Sequence, residues 1–180
     1  MKRALKFALL TLLCYLLQAT VAAHIALWDI APNLALAIIA VVTVGMGRKY
    51  AFIMSATTGY LLEIMLPMLD YMNMLLYPIC AMLGALAFSD KSERKLEEER
   101  TAGKKARNLN PHLRTPLCAL LSVAVLEAVN LIYIYLNGVS VDIGHILRAL
   151  VDVGYTTVLA GVLQFPIRWW LGVYKLKKAR

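Results

Sequence analysis

The sequence predicts an all-α polytopic membrane protein of about six transmembrane helices, and three observations carry that reading. Of the 180 residues, 61% are hydrophobic, and the mean hydropathy is +0.66, whereas a soluble domain is apolar over only about half of its residues. The apolar residues gather into runs of about 20, the length that crosses a hydrocarbon core of roughly 30 Å. The charges, net +8, fall in short stretches between those runs. That is a membrane-topology pattern and not a nucleic-acid surface. A membrane is the expected partner; nucleic acid is not.

The first run, residues 4–27, follows Lys2 and Arg3 and holds Lys6 as its one charge. Its apolar core exceeds the roughly 7–15 residues of a secretory signal, so a retained helix is expected. Leu13 ahead of Cys14 also does not suit lipoprotein cleavage, which wants a small residue there. Pro32 opens the second span, 31–47, where a missing N–H costs nothing. Gly47 ends it, and Gly47-Arg48-Lys49 forms a basic turn. The third span, 50–67, closes on Pro67. The fourth, 71–88, carries Pro78 mid-span, which predicts a kink or local break.

Residues 89–114 form the one long polar segment, with Leu96 its only large apolar residue between Asp90 and Asn108. A solvated cytoplasmic loop is expected there, with Asn108 to Pro111 as a turn signal. The fifth span, 116–137, ends on the Asn137-Gly138 turn. Val141 to Leu147 reads as a short interfacial piece before the sixth span, 147–171, where Trp169, Trp170 and Tyr174 make an interfacial belt. With six spans, Lys2 to Lys6, Arg48-Lys49, Lys91 to Arg114 and Arg168 to Arg180 all fall on one side. Arg148 remains on the other, with Asp29, Asp70 and Asp142. Positive-inside bias then places both termini in the cytoplasm, and residues 1–180 form a single transmembrane domain.

Cys14, Cys80 and Cys118 lie isolated in apolar runs, without zinc spacing or the even framework of a secreted scaffold, and read as small buried hydrophobes. No metal and no cofactor is expected. His24, His112 and His145 are scattered, and no Ser/His or Cys/His pairing, HExxH motif or glycine-rich phosphate loop occurs. Catalysis is therefore not expected.

The informative residues are the ionisable ones inside the spans: Glu63, Glu127, Arg148 and Asp152. At about 1.5 Å per residue, Glu63 lies roughly 20 Å along its helix. Glu127 is similarly deep, and Arg148 and Asp152 open the sixth helix, so all four reach the outer half of the bilayer. Arg148 and Asp152 are four apart on one face, the spacing of a pair, and Glu127 shares a face with Asn130. A charge at that depth costs at least about 2–3 kcal/mol unless it is paired, hydrated or protonated. Two readings stay open: an outward-facing polar pocket or partner-binding notch, and a structural cluster in which Arg148 pairs with Asp152 or Glu127. Ser55, Gly59 and Glu63 recur at i, i+4 and i+8, so a small-residue face leads to the acid. Gly154, Thr157 and Gly161 form a stripe roughly opposite Asp152, suited to close helix packing.

An ordered series of short motifs runs through the first half of the chain. It comprises Gln18-Ala19-Thr20, Pro32-Asn33-Leu34, the turn Gly47-Arg48-Lys49, Gly59-Tyr60-Leu61-Leu62-Glu63, and Met72 to Tyr77 with Gly84. The series resembles MreD, the small polytopic membrane protein of the bacterial rod-shape system. Gln18, Pro32, Asn33, Gly59 and Glu63 are the motif positions. Glu63 stands where the family typically has Asp, and the long charged loop is an elaboration. The resemblance implies a non-catalytic scaffold and regulator of cell elongation in the bacterial cytoplasmic membrane. It implies MreC, a single-span protein with an extracytoplasmic domain, as partner. Beyond it stands the peptidoglycan synthase of RodA and a class B penicillin-binding protein, linked to MreB. It also implies a fold like the substrate-binding S-component of energy-coupling-factor vitamin transporters. Such a component is the alternative function.

Overall fold

The computed structural model describes residues 2–65, 71–88, 101–102 and 110–172. Six helices are described. α1 runs from Lys2 to Leu16, through a π-helical turn at Leu17–Val21, and into Ala22–His24. α2 spans Leu34–Met46, α3 Arg48–Met65, α4 Met72–Phe88, α5 Pro111–Leu136 and α6 Ile143–Leu171. The described residues hold no strand, only an isolated bridge between Leu27 and Ile30. Ala4–His24, His112–Leu136 and Ile143–Leu171 are long and apolar enough to cross a membrane, while α2 and α4 are shorter apolar helices. Both features of the described residues fit an all-α membrane protein. Pro67, Asp70, most of the charged loop and the tail with Tyr174 lie outside the described residues.

α2 is the centre of the bundle. Its sequence, LALAIIAVVTVGM, has no polar face, and a helix that is apolar all round must be covered all round. Every residue from Leu34 to Val44 is buried, and the helix packs against all five others. Gly47 ends it at φ +97°, with its N–H on the carbonyls of Thr43 (3.1 Å) and Val42 (3.3 Å). A Cβ would strain that backbone. The Gly47 carbonyl then accepts from Ala51 N–H (3.2 Å), so α3 starts without a spacer.

Close approach between helices falls where side chains are smallest. A Cβ on Gly59 of α3 would lie 2.7 Å from the Asn73 carbonyl oxygen and 3.2 Å from Tyr77 Cβ, both on α4. A Cβ on Gly84 of α4 would meet Cys118 and Ser122 of α5. There Ser122 Oγ donates to the Cys80 carbonyl at 3.1 Å. All three cysteines are buried and free.

Two element boundaries differ from expectation. α5 starts at Pro111 rather than near Pro116, with Pro111 in the first turn after Asn110. Pro116 continues the helix because it forfeits only the bond to the His112 carbonyl. That carbonyl accepts from Gln164 Nε2 at 3.4 Å instead. Val141 to Leu147 is not a separate interfacial piece. Asp142 caps a single helix from Ile143, accepting from Ile143 N–H (2.8 Å) and donating its own N–H to His145 Nδ1 (3.3 Å). Pro78 lies within α4 without breaking it.

The bundle has two chemically distinct ends. At the Gly47 end, Phe7 meets Tyr50 edge-on (5.3 Å between centroids) and Lys6 Nζ donates to the Trp170 carbonyl at 3.1 Å. At the other end, the chain between α1 and α2 forms an irregular cap over Asn33.

Candidate functional site

α2 has 13 residues, about 20 Å of helix, whereas a hydrocarbon core is about 30 Å thick. α2 is thus about 10 Å shorter than such a core, and residues 25–33 lead to its N-terminus as irregular backbone packed among the longer helices. Within such a core, bare backbone persists only where protein groups satisfy its N–H and C=O. The structure supplies them from two helices and from Asn33 itself.

From α6, Tyr155 Oη donates to the Ile25 carbonyl (2.9 Å) and Arg148 Nη2 to the Asp29 carbonyl (2.9 Å). Thr156 Oγ1 accepts the Asn33 N–H at 2.9 Å. From α1, Gln18 Oε1 accepts the Ala35 N–H at 3.0 Å. Gln18 lies in the π-helical turn, whose wider winding shifts the helix face there. Asn33 closes the set as N-cap, its Oδ1 accepting the Leu36 N–H at 3.0 Å. Between these anchors the chain makes a two-residue turn, with Leu27 and Ile30 exchanging bonds of 3.0 and 2.9 Å. Trp28 (φ +52°) and Asp29 (φ +61°) sit at its tip in left-handed conformation, and Trp28 is 85% exposed. Such turns ordinarily use Asn-Gly or Asp-Gly, so this one carries backbone strain.

A second layer extends from Asn33. Its Nδ2 donates to Tyr77 Oη of α4 at 3.2 Å. Thr156 Oγ1 donates to Asp152 Oδ1 at 2.9 Å, which leaves the hydroxyl lone pairs for the Asn33 N–H. The Asp152 and Glu127 carboxyl groups lie within interaction range of each other. Asn130 Nδ2 donates to Glu127 Oε1 at 3.2 Å. The network thus runs from Tyr77 through Asn33, Thr156, Asp152 and Glu127 to Asn130, joining α2, α4, α5 and α6. Asp152 sits by the N-terminus of α2, the positive end of its dipole.

Of the residues expected to meet here, Glu127, Asn130 and Asp152 do. Arg148 comes near without pairing as its spacing suggested. Its guanidinium reaches out to the Asp29 carbonyl, within electrostatic range of Glu127, while Asp152 bonds Thr156. Glu63 is not in the cluster. Its carboxyl accepts the N–H groups of Tyr71 (3.1 Å) and Asn73 (2.8 Å), so it caps the start of α4 from the end of α3. Ser55 is buried and bonds its own helix, at the Phe52 carbonyl. Gly59 packs against α4. Gly154 and Gly161 do not act as packing positions among the described residues, because a Cβ at either would meet nothing within 4 Å. Pro32 and Asn33 are buried beside the cluster, and Gln18 is half-buried.

Sequence reasoning missed Tyr77, Tyr155 and Thr156. Two of these had a signal: Thr156 follows Asp152 by one turn, and Tyr155 follows Arg148 by two, so all share one face. Tyr77 ends the Met72 to Tyr77 motif, but nothing in that motif marked its hydroxyl as a partner of Asn33. It also missed a polar layer at the Gly47 end, where Arg114 and Arg168 are 3% exposed and Arg168 donates to Thr115 Oγ1. Gln164 Nε2 there donates to the Gly161 carbonyl at 2.8 Å, and His112 stacks on Phe165.

Chemically, the cluster at Asn33 is a network of donors and acceptors that fixes one arrangement of helices. Among the described residues, no group of three or more His, Cys, Asp or Glu is placed to hold a metal ion. No protein-family model, curated protein or solved structure matches the chain.

Proposed function

We propose that this protein is a non-catalytic scaffold of the bacterial cytoplasmic membrane, of the MreD type, with six spans and both termini in the cytoplasm. It acts in cell elongation through a single-span MreC-like partner, alongside a RodA and penicillin-binding protein synthase and MreB. One observation supports the reading above the rest. The motif positions of the resemblance are the residues that hold the helices together. Gln18 and Asn33 cap α2, Gly59 seats α3 on α4, and Glu63 caps α4. In the same direction, the polar groups that a vitamin-binding component would turn toward a ligand bond to one another, from Tyr77 to Asp152.

In this reading, the partner's helix packs on the open face of α6 at Gly154 and Gly161, where small residues permit close approach. The test is co-purification of the tagged protein with the MreC-like protein from a rod-shaped bacterium. Gly154→Leu and Gly161→Leu, which add bulk where nothing stands within 4 Å, reduce recovery of the partner and round the cells while leaving the unfolding temperature unchanged. Normal rods after complete loss of the protein would overturn the proposal.

A further inference from the structure

Between α1 and α6, near the Gly47 end, lies a groove of about 270 Å³ lined wholly by apolar side chains: Leu9, Leu10, Leu13, Pro166, Ile167 and Trp170. Lys6 stands one turn before Leu9 and Leu10 on the same face of α1. Its Nζ donates to the carbonyl of Trp170, a residue of the groove lining, at 3.1 Å and lies 5.8 Å from the Trp170 ring centroid. An ammonium has three donors, and the carbonyl takes one of them. From Lys6 to Leu13 the groove runs inward by about 10 Å of helix.

We propose that the groove is a lipid site: it holds an acyl chain of an anionic phospholipid whose phosphate lies against Lys6. The charge distribution favours this occupant. Lys2 and Arg3 precede Lys6 in α1, and the Phe7–Tyr50 contact brings the Arg48-Lys49 turn alongside. Asp29, Glu63, Glu127, Asp142 and Asp152, the acids among the described residues, all lie toward the other end. Size favours it too. The walls, Leu9 to Leu13 and Pro166 to Trp170, are little more than a turn of helix each, whereas a partner helix is about 10 Å across. The lining is aliphatic and aromatic from end to end, so only a chain with no polar groups fits beneath the ammonium. The inference depends on residence in a membrane and on no partner protein.

The experiment uses the delipidated full-length protein in detergent, with lipid binding read by native mass spectrometry and by thermal shift. Phosphatidylglycerol is expected to bind about tenfold more tightly than phosphatidylcholine with the same acyl chains. Lys6→Glu abolishes that preference. Leu13→Trp fills the groove and weakens both lipids about tenfold, with the lipid-free unfolding temperature unchanged; Leu9→Trp replaces it should that temperature fall. Equal binding of the two lipids to the unaltered protein would overturn the assignment. So would stabilisation by inorganic phosphate alone equal to that by phosphatidylglycerol, or groove-filling variants that keep full lipid binding. A photocrosslinker at Leu13 that captures a polypeptide in membranes, and not lipid, would overturn it as well.

Discussion

Asn33→Ala tests whether the polar cluster exists to end α2 inside the bundle. The side chain has two functions: Oδ1 accepts the Leu36 N–H at 3.0 Å, and Nδ2 donates to Tyr77 Oη at 3.2 Å. Loss of an N-cap costs about 1 kcal/mol. Leaving a buried hydroxyl without its partner costs about 1–3 kcal/mol more. The expected destabilisation is therefore about 2–4 kcal/mol, large beside a typical net stability of 5–15 kcal/mol. Tyr77→Phe removes only the second function and costs about 1–2 kcal/mol, because Asn33 Nδ2 then lacks its acceptor. The double variant no longer contains that broken bond twice, so it should fall short of the sum by about 1 kcal/mol or more. Reversible unfolding in mixed detergent micelles, followed by circular dichroism, measures all four species. An Asn33→Ala protein within 0.5 kcal/mol of the parent, or a strictly additive cycle, would refute the reasoning.

Other single substitutions have equally definite outcomes. Gly59→Ala drives a Cβ to 2.7 Å from the Asn73 carbonyl oxygen and should cost about 1–3 kcal/mol despite the gain in helix propensity. Gly154→Ala, facing open space, should be neutral or stabilising by up to about 1 kcal/mol; paired melting curves decide. Asp29→Gly relieves the left-handed backbone at φ +61° while keeping the carbonyl that Arg148 holds, so it should raise stability by about 1 kcal/mol, and a lower melting temperature would count against strain in the turn. Glu63→Leu removes the acceptor of both the Tyr71 and Asn73 N–H groups, and amide hydrogen exchange there should rise at least about tenfold, with Glu63→Gln intermediate. Thr156→Val leaves the Asn33 N–H without its acceptor and should cost about 2–3 kcal/mol. Thr157→Val, by contrast, loses only a bond to the Val153 carbonyl of its own helix and should change little.

What could be read from the sequence, and what could not, divides along one physical line. The apolar composition of Leu34 to Val44 marks a helix that avoids water on every face, but not that other helices rather than lipid cover it. Gly47 announces its end, because few other residues tolerate that backbone. Residue count multiplied by helical rise says how far along its helix Glu63 lies, but not which way it faces. Glu63 and Asp152 have different neighbours, and the packing of α3 on α4 turns Glu63 toward Tyr71 and Asn73. The π-helical turn at Leu17–Val21 had no signature in LQATV, yet it lies where Gln18 turns toward α2. The expected Arg148–Asp152 pair gave way because a long side chain near a helix start can reach a loop carbonyl as readily as an acid one turn away. Pro116 was read as a helix start because the polar partner of His112, Gln164, comes from a helix 52 residues later.

The same line explains why polar residues persist in so apolar a bundle. Side chains can be exchanged for apolar ones; backbone N–H and C=O groups cannot. A central helix of 13 residues inside a layer about 30 Å thick must end within it, and each end group left bare there carries the full cost of desolvation. At the Gly47 end, a glycine meets that demand by turning its own backbone onto the Thr43 and Val42 carbonyls. The N-terminal end is met internally only in part, by the Asn33 cap on the Leu36 N–H, and its other N–H groups take acceptors from elsewhere. Gln18 and Thr156 are those acceptors from other helices. Asp152 then matters in part at one remove: by accepting the Thr156 hydroxyl hydrogen, it orients the lone pairs that receive the Asn33 N–H. The acid inside the bundle is thus tied to the start of α2, both through Thr156 and by its own proximity to the Asn33 backbone, and an apolar residue at 152 would loosen that end.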